Sequence, residues 1–554
     1  MLAIGITLFL CWLPARAYVP TLRDLVDPSE QQSLRDTLSK IVEFEYKDQV
    51  ISSDDAGVLP AYMQRSPTIN QLNQNYSDIL YQGDIRMPTK LLRSILVGAY
   101  NREKRTAYRD RRYPSTIWKR GVPFAFHRSM NREGRRSVLA AIQFFRKMTC
   151  IRFRRRTNEQ VYLLFVGHDQ GCWSTVGRDA YQGQQFVSIG RGCEAFGITS
   201  HEVAHALGLF HEQSRYDRDN WITVYPQRIP QPLLYNFAKV SPKQMATYGT
   251  PYDIGSVMQY TPFEFSIDPT VPSMVAVNIN EQGSMGQLAG PSYLDVQKLN
   301  AHYSCGRRCP FPIACANGGI QNPHKCGTCI CPSGYGGSHC RRPKAPSIRG
   351  CVGRLYAQAQ PRRMRLKIAA APRASGPRTC NYHILVTSTC LPGCWREAAE
   401  FKVRQDKRIT GNRFCCDLTS TKRILSNTNE VPVMLKAVRK SAEIIVQYSF
   451  VERTAAQDDV ENWEEPNIVF GAGEKTVGAN NEFELEIQKP LEEGEVPPAD
   501  EEQAVAHDDG AEAVEGTIDD MNSIHADFYA LPSLDPDLEE MLKDEENVEI
   551  DSTS

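Results

Sequence analysis

The 554-residue sequence has almost no long hydrophobic run. The one candidate, Leu2–Leu13, stands at the very start. As a helix it reaches about 18 Å, short of a ~30 Å hydrocarbon core, so no membrane span is expected. Pro14 and the small-x-small triplet Ala15-Arg16-Ala17 follow it. The segment 1–17 therefore reads as a secretory signal peptide cut after Ala17. No Lys or Arg precedes the run, which keeps an uncut signal anchor as the alternative. Net charge is lacking too, with 64 basic residues against 65 acidic. That balance hides an asymmetry: Glu452–Ser554 holds 32 acidic and 4 basic residues, while the rest holds 60 basic and 33 acidic. A simple nucleic-acid binder is excluded. Removing Cys11 with the signal leaves 16 of 17 cysteines, an even number that suits an oxidising compartment. A secreted, extracellular protein is expected.

Cysteine is absent from residues 18–105, which are polar and helix-prone. Two basic clusters follow, Arg102-Glu103-Lys104-Arg105 and Arg109-Asp110-Arg111-Arg112. Both fit R-x-[KR]-R, so 18–105 reads as a prosegment and an activating convertase as a partner; a solvated basic linker is the alternative. Asn75-Tyr76-Ser77 is the only N-x-[ST] sequence, making Asn75 the candidate glycosylation site. Residues 106–305 have globular composition. Val138, Ile142, Phe145 and Met148 predict a helix, and Val161–Val166 a strand. Residues 306–341 pack six cysteines closely, and 351–451 carry six more among short strand-like runs. The region 452–554 is sparse in apolar residues and interrupted by Pro490, Pro497 and Pro498. It is expected to be a disordered acidic tail, either solvating or folded back on the basic remainder in a salt-sensitive way.

The chemistry concentrates in Gly197–Glu212. His201 and His205 are four apart and share one helix face, a spacing that grips one Zn²⁺. Glu202 stands beside the first ligand without filling a ligand position. Gly208 permits a sharp turn that returns His211 as third ligand. Three histidines leave a position open for water, as a catalytic site requires. The extended pattern is the metzincin signature, and its Met-containing turn follows as Ser256-Val257-Met258-Gln259-Tyr260.

Residues 81–305 resemble astacin-family zinc endopeptidases. The resemblance rests on the zinc motif, on Gly171-Cys172-Trp173-Ser174, on Ser188–Cys193 and on Pro251–Met258. It implies a multidomain chain. An α+β metzincin catalytic domain (106–305) with a twisted N-terminal sheet and an active-site helix comes first. An EGF-like module (306–341) and a β-sandwich CUB-like domain (351–451) follow, most like the nematode astacins. For 351–451, an unrelated disulfide-rich β domain is the alternative. The resemblance further implies one Zn²⁺ per chain on His201, His205 and His211, and Glu202 as general base and then acid toward a zinc-bound water. Tyr260 would stabilise the oxyanion, and Met258 would floor the site. Glu212 would pair with the mature N-terminal ammonium. That reach favours Thr106 as first mature residue, because a cut after Arg112 leaves too little chain before Trp118. Tyr81-Gln82-Gly83-Asp84 resembles the prosegment element whose aspartate covers the metal, which makes Asp84 the zymogen switch. Implied disulfides are Cys150–Cys305, Cys172–Cys193, Cys309–Cys326, Cys315–Cys329, Cys331–Cys340 and Cys351–Cys380. Three departures stand out: Gln259 in the Met-turn, Tyr81 in the switch, and Leu288 where the family has Arg. The last puts the family's taste for an acidic residue after the scissile bond in doubt. The expected function is a secreted zymogen hydrolysing extracellular proteins, with collagen-like matrix as a narrower possibility. The alternative is a matrix-binding protein with a silent protease domain. Oligomeric state is not legible.

Overall fold

The computed structural model describes residues 22–25, 27–46, 68–87, 113–167, 171–179, 183–242, 244–345, 362–368, 378–380, 392–395, 398–415, 422–426, 428, 430–437, 442–452, 481–487 and 533–551. The signal peptide, both basic clusters, Thr106 and Cys351 lie outside these residues, and the expected Cys351–Cys380 bridge with them. Among the described residues, no helix is long and apolar enough to cross a membrane.

Residues 18–105 contribute helices α1 (Pro28–Tyr46) and α2 (Ile69–Leu72). A five-stranded sheet then forms from β1 (Val122–Phe126), β2 (Phe153–Arg155), β3 (Tyr162–Val166), β4 (Cys172–Trp173) and β5 (Gln184–Ile189), in the order β2-β1-β3-β5-β4. All pairs are parallel except β4 with β5. The parallel strand β3 (Tyr-Leu-Leu-Phe-Val) reads as a near-continuous apolar run because both sheet faces are covered. Leu163 and Phe165 turn toward a core shared with helix α3 (Arg132–Met148). Leu164 and Val166, at the alternate positions, pack with Leu22, Ile79 and Leu80. The segment that precedes the sheet is thus one of its walls.

Helix α3 begins at Asn131, whose side chain accepts the Gly134 N–H at 2.7 Å, and ends on Arg146 and Lys147. Acid at its start and base at its end both suit the helix dipole. Its apolar stripe, including Val138, Leu139, Ile142 and Phe145, is fully buried. Helix α4 (Phe196–Leu207) packs against it. Below lies a second core, which Leu38, Val42, Tyr81 and Ile85 join from the preceding segment. The strands β6 (Ile222–Val224) and β7 (Met274–Ala276) pair there, and helix α5 (Tyr293–His302) closes the domain. Bridges Cys150–Cys305 and Cys172–Cys193 tie this body together.

The next region is held by Cys309–Cys326, Cys315–Cys329 and Cys331–Cys340 around two small hairpins, β8 (Ile320–Gln321) with β9 (Cys329–Ile330) and β10 (Tyr335–Gly336) with β11 (Arg342–Pro343). Beyond it lie eight antiparallel strands: β12 (Arg362–Ile368), β13 (Arg378–Cys380), β14 (Ala398–Phe401), β15 (Asn412–Phe414), β16 (Lys422–Ser426), β17 (Val433–Ala437), β18 (Ala442–Glu452) and β19 (Asn481–Ile487). They form two four-stranded sheets, β12-β18-β19-β16 and β13-β17-β14-β15. Cys394 and Cys415 are bridged.

The expectation of disorder from residue 452 onward is corrected at two places. Strand β19 pairs with both β18 and β16, so the β region extends past residue 451. Helix α6 (Pro536–Asp551) docks on α3, with Leu534, Leu538 and Leu542 buried in the catalytic core. These leucines recur at four-residue spacing and form one apolar stripe. Arg146–Asp537 at 2.8 Å and Lys147–Asp535 at 3.0 Å rim it, and Gln143 exchanges hydrogen bonds with Ser533 O and Asp535 N. Composition alone predicted no burial here, but three leucines in register suffice to hold a helix.

Candidate active site

Helix α4 carries His201, Glu202 and His205 on a fully buried stretch. It stops at Gly208, whose φ of 114° only glycine adopts readily. A Cβ there would also meet His302 Nε2 at 2.8 Å. The Gly208 and Leu209 N–H groups return to His205 and Ala204 carbonyls, and the reversed chain brings His211 back beside the helix.

Each imidazole is oriented through Nδ1 by an oxygen acceptor. His201 faces Val257 O at 2.8 Å, His205 faces Leu209 O at 2.7 Å, and His211 faces Gln82 Oε1 at 3.0 Å. Acceptors at all three places put the ring protons on Nδ1 and leave Nε2 lone pairs facing one another. The Nε2 atoms of His201 and His211 are 3.2 Å apart. Asp84 Oδ2 lies 3.1 Å from both, and its Oδ1 lies 3.6 Å from His205 Nε2. All four ligating atoms fall within 4.8 Å of one another and all four residues are buried. Converging lone pairs and a carboxylate without shared protons repel unless a cation sits among them. The donor set fits Zn²⁺, with three imidazoles and one oxygen. Burial holds His205 and His211 below the ordinary histidine value, His211 to about 3, which favours neutral ligands.

Asp84 reaches this point on a tight loop. Tyr81 and Ile85 exchange both backbone hydrogen bonds, at 2.9 Å each, and Gln82 and Gly83 between them have positive φ. The loop is pinned to the sheet edge by Ser174 N to Asp84 O and Arg86 N to Ser174 O. Asn73 fastens it from behind, bonding Gly83 O and both backbone groups of Cys172.

Glu202 is completely buried, and neither of its carboxylate oxygens has a hydrogen-bond partner among the described residues. Burial first, and the Asp84 charge second, push its carboxyl well above the ordinary range. A buried, unpartnered carboxylate beside a ligand cluster is a candidate proton-transfer group. The Tyr260 ring lies tilted against His211, 4.8 Å between centroids, and its hydroxyl donates to Gln82 O at 2.5 Å, held by the loop that carries Asp84. Met258 is buried in the first core, and its carbonyl accepts the Glu212 N–H at 2.8 Å. Gln259 accepts from the Tyr252 hydroxyl.

Sequence reasoning missed Asp295. Its Oδ1 accepts from Ser256 Oγ at 2.6 Å and its Oδ2 from Val257 N at 3.0 Å, so it braces the turn that holds His201. The visible signal was Ser292-x-x-Asp295, a capping box that starts α5. Gln82, the Nδ1 partner of His211, was also missed. Glu212 is buried with Arg215 Nη1 at 3.0 Å, Lys298 Nζ at 2.5 Å and Asp253 N at 3.1 Å. Asn75 is exposed in the turn 74–76.

Three histidines converging on a cation position beside an unpaired buried carboxylate define a metallopeptidase centre. A family model described as Astacin, a peptidase family, matches residues 110–304. The chain is 46% identical over 452 residues to "Zinc metalloproteinase nas-23" of Caenorhabditis elegans, covering 78% of this chain and 84% of that one. It is 43% identical over 474 residues to "Zinc metalloproteinase nas-29" of the same organism, covering 80% and 89%. Among solved structures, High choriolytic enzyme 1, a hatching enzyme zinc-protease from Oryzias latipes, matches at 33% identity with a TM-score of 0.32, over 36% of this chain and 94% of that chain. The chain belongs to the astacin family and is a zinc metalloendopeptidase.

Proposed function

We propose that the chain is a secreted zymogen of an endopeptidase that cleaves extracellular proteins, with Asp84 as its latency switch. The observation that carries this reading is the Asp84 carboxylate, 3.1 Å from two of the three converging Nε2 atoms. A zinc ion held by His201, His205 and His211 lowers the pKa of a coordinated water and polarises a carbonyl. Asp84, among the three Nε2 atoms, would compete with that water for the ion. The opening signal sequence and the six disulfides among the described residues support an exported protein. A convertase cutting at the basic clusters would release the prosegment, and Asn75 would be glycosylated within it. Collagen-like matrix is the narrower substrate class, supported only by likeness to nematode astacins.

In the mature enzyme, Glu202 accepts the proton of the attacking water and delivers it to the leaving amine. Tyr260, released from Gln82 O, donates its hydroxyl to the developing oxyanion. Glu212 takes the new N-terminal ammonium alongside Lys298 and Arg215. Glu202→Ala should lower kcat by roughly 10²–10⁴-fold while bound zinc stays at one per chain by metal analysis. Wild-type turnover in that variant would refute the role, and so would chelator-insensitive cleavage by the wild-type enzyme.

A further inference from the structure

The space in front of the histidines has two kinds of wall. Thr68, Asn70 and Gly83 of the prosegment form one, and Thr261, Glu264 and Leu288 of the catalytic domain form part of the other. Glu264 is 5% exposed there. Its Oε2 accepts the Thr68 hydroxyl at 3.0 Å, and its Oε1 accepts only the longer bond from Thr261 Oγ1 at 3.3 Å. Among the described residues no Lys or Arg pairs with it. Thr68 is the N-cap of α2, where its hydroxyl oxygen accepts the Gln71 N–H, so its single proton is directed at Glu264.

A buried carboxyl without a cation is unfavourable, and a core position of this kind is normally paired or apolar. Here the short contact is made by a segment that maturation removes. We infer that Glu264 is a specificity-determining residue of the substrate cleft, which holds a prosegment hydroxyl in the uncut chain and a basic side chain of the substrate in the mature enzyme. The inference rests on the zymogen reading above. Loss of Thr68 leaves Oε2 without its donor and admits water, and loss of Asp84 removes the neighbouring negative charge. Burial, and less strongly Asp84, push the Glu264 carboxyl up to about 8 in the uncut chain against the opposing hydrogen bond from Thr68. Leu288, apolar, offers a wall for the aliphatic stem of a lysine or arginine whose head meets the carboxylate.

The test uses the full chain activated by limited proteolysis at the basic clusters. Peptide pairs carry lysine or its neutral near-isostere norleucine at each position flanking the scissile bond. At one position lysine should raise kcat/KM on the order of tenfold, the scale of a hydrogen bond to a charged group. Glu264→Gln should abolish that ratio, and Glu264→Lys should favour glutamate peptides instead. Independently of any variant, the wild-type ratio should shrink as salt rises. Equal rates for lysine and norleucine at every position would overturn the inference while the peptidase reading stands. A preference that survives in Glu264→Gln would overturn it as well. A wild-type enzyme that cleaves no peptide would overturn the peptidase reading and this inference together.

Discussion

Two segments from opposite ends of the chain are laid on the same catalytic domain by different forces. The loop Tyr81–Ile85 buries Tyr81 and Ile85 in the second core, but its tip is aimed into the cleft by polar contacts: two backbone bonds to the sheet edge, the Asn73 clamp and the Asp84 carboxylate among the histidines. Helix α6 lies on the back of α3 through three buried leucines, with two ion pairs at the rim. Polar contacts at a cation site are position-specific and chemically interruptible, which suits a switch. Apolar burial is non-directional and independent of the reacting centre, which suits a fastening.

Breaking the front contact should have the largest effect. Asp84→Ala should let the uncut chain hydrolyse a generic protein substrate, whereas deletion of residues 533–554 should leave it latent; activity assays on both uncut proteins check this. Breaking the rear contact should act on stability alone. Leu538→Ala, at a position 1% exposed, should weaken docking of α6 by about 2–5 kcal/mol, read as faster hydrogen exchange in α3 and α6. Acidity should separate the two ends further. The Glu264 carboxyl, raised from 4.5 to about 8 by burial and the facing Asp84, binds its proton more tightly in the folded uncut chain. The resulting stability is fully present below about pH 4.5 and is lost as pH rises through 8. Thermal melts of the uncut chain over that window should therefore fall more steeply for wild type than for Glu264→Gln. The smallest effect belongs to Arg146→Ala, which removes an exposed pair worth about 0–1 kcal/mol and should show only at low salt in the same exchange experiment.

What could be read from the sequence follows the same division. The three histidines and Glu202 were legible because metal chemistry demands fixed residue types at fixed offsets, whereas Asp84 was legible only through the resemblance of Tyr81–Asp84 to a family element. Helix α3 was legible from its period. Helix α6 was not, because the acidic composition of the whole tail outweighed one leucine stripe, and the stripe acquires meaning only beside the basic end of α3. Asp295 and Glu264 were invisible for a related reason. Each acts across the fold on residues far away in sequence, and nothing in their immediate neighbours announces those partners. The Ser292–Asp295 capping box marked a helix start, yet gave no hint that the same carboxylate also holds the Met-turn.

That double duty sets an order of events during synthesis. A ribosome delivers His201, His205 and His211 long before Asp295, and Val257 cannot offer His201 a settled acceptor until Asp295 has emerged and grasped its amide. The nascent protein therefore carries all three histidines for a time without the brace behind His201, which only the far end of the domain supplies.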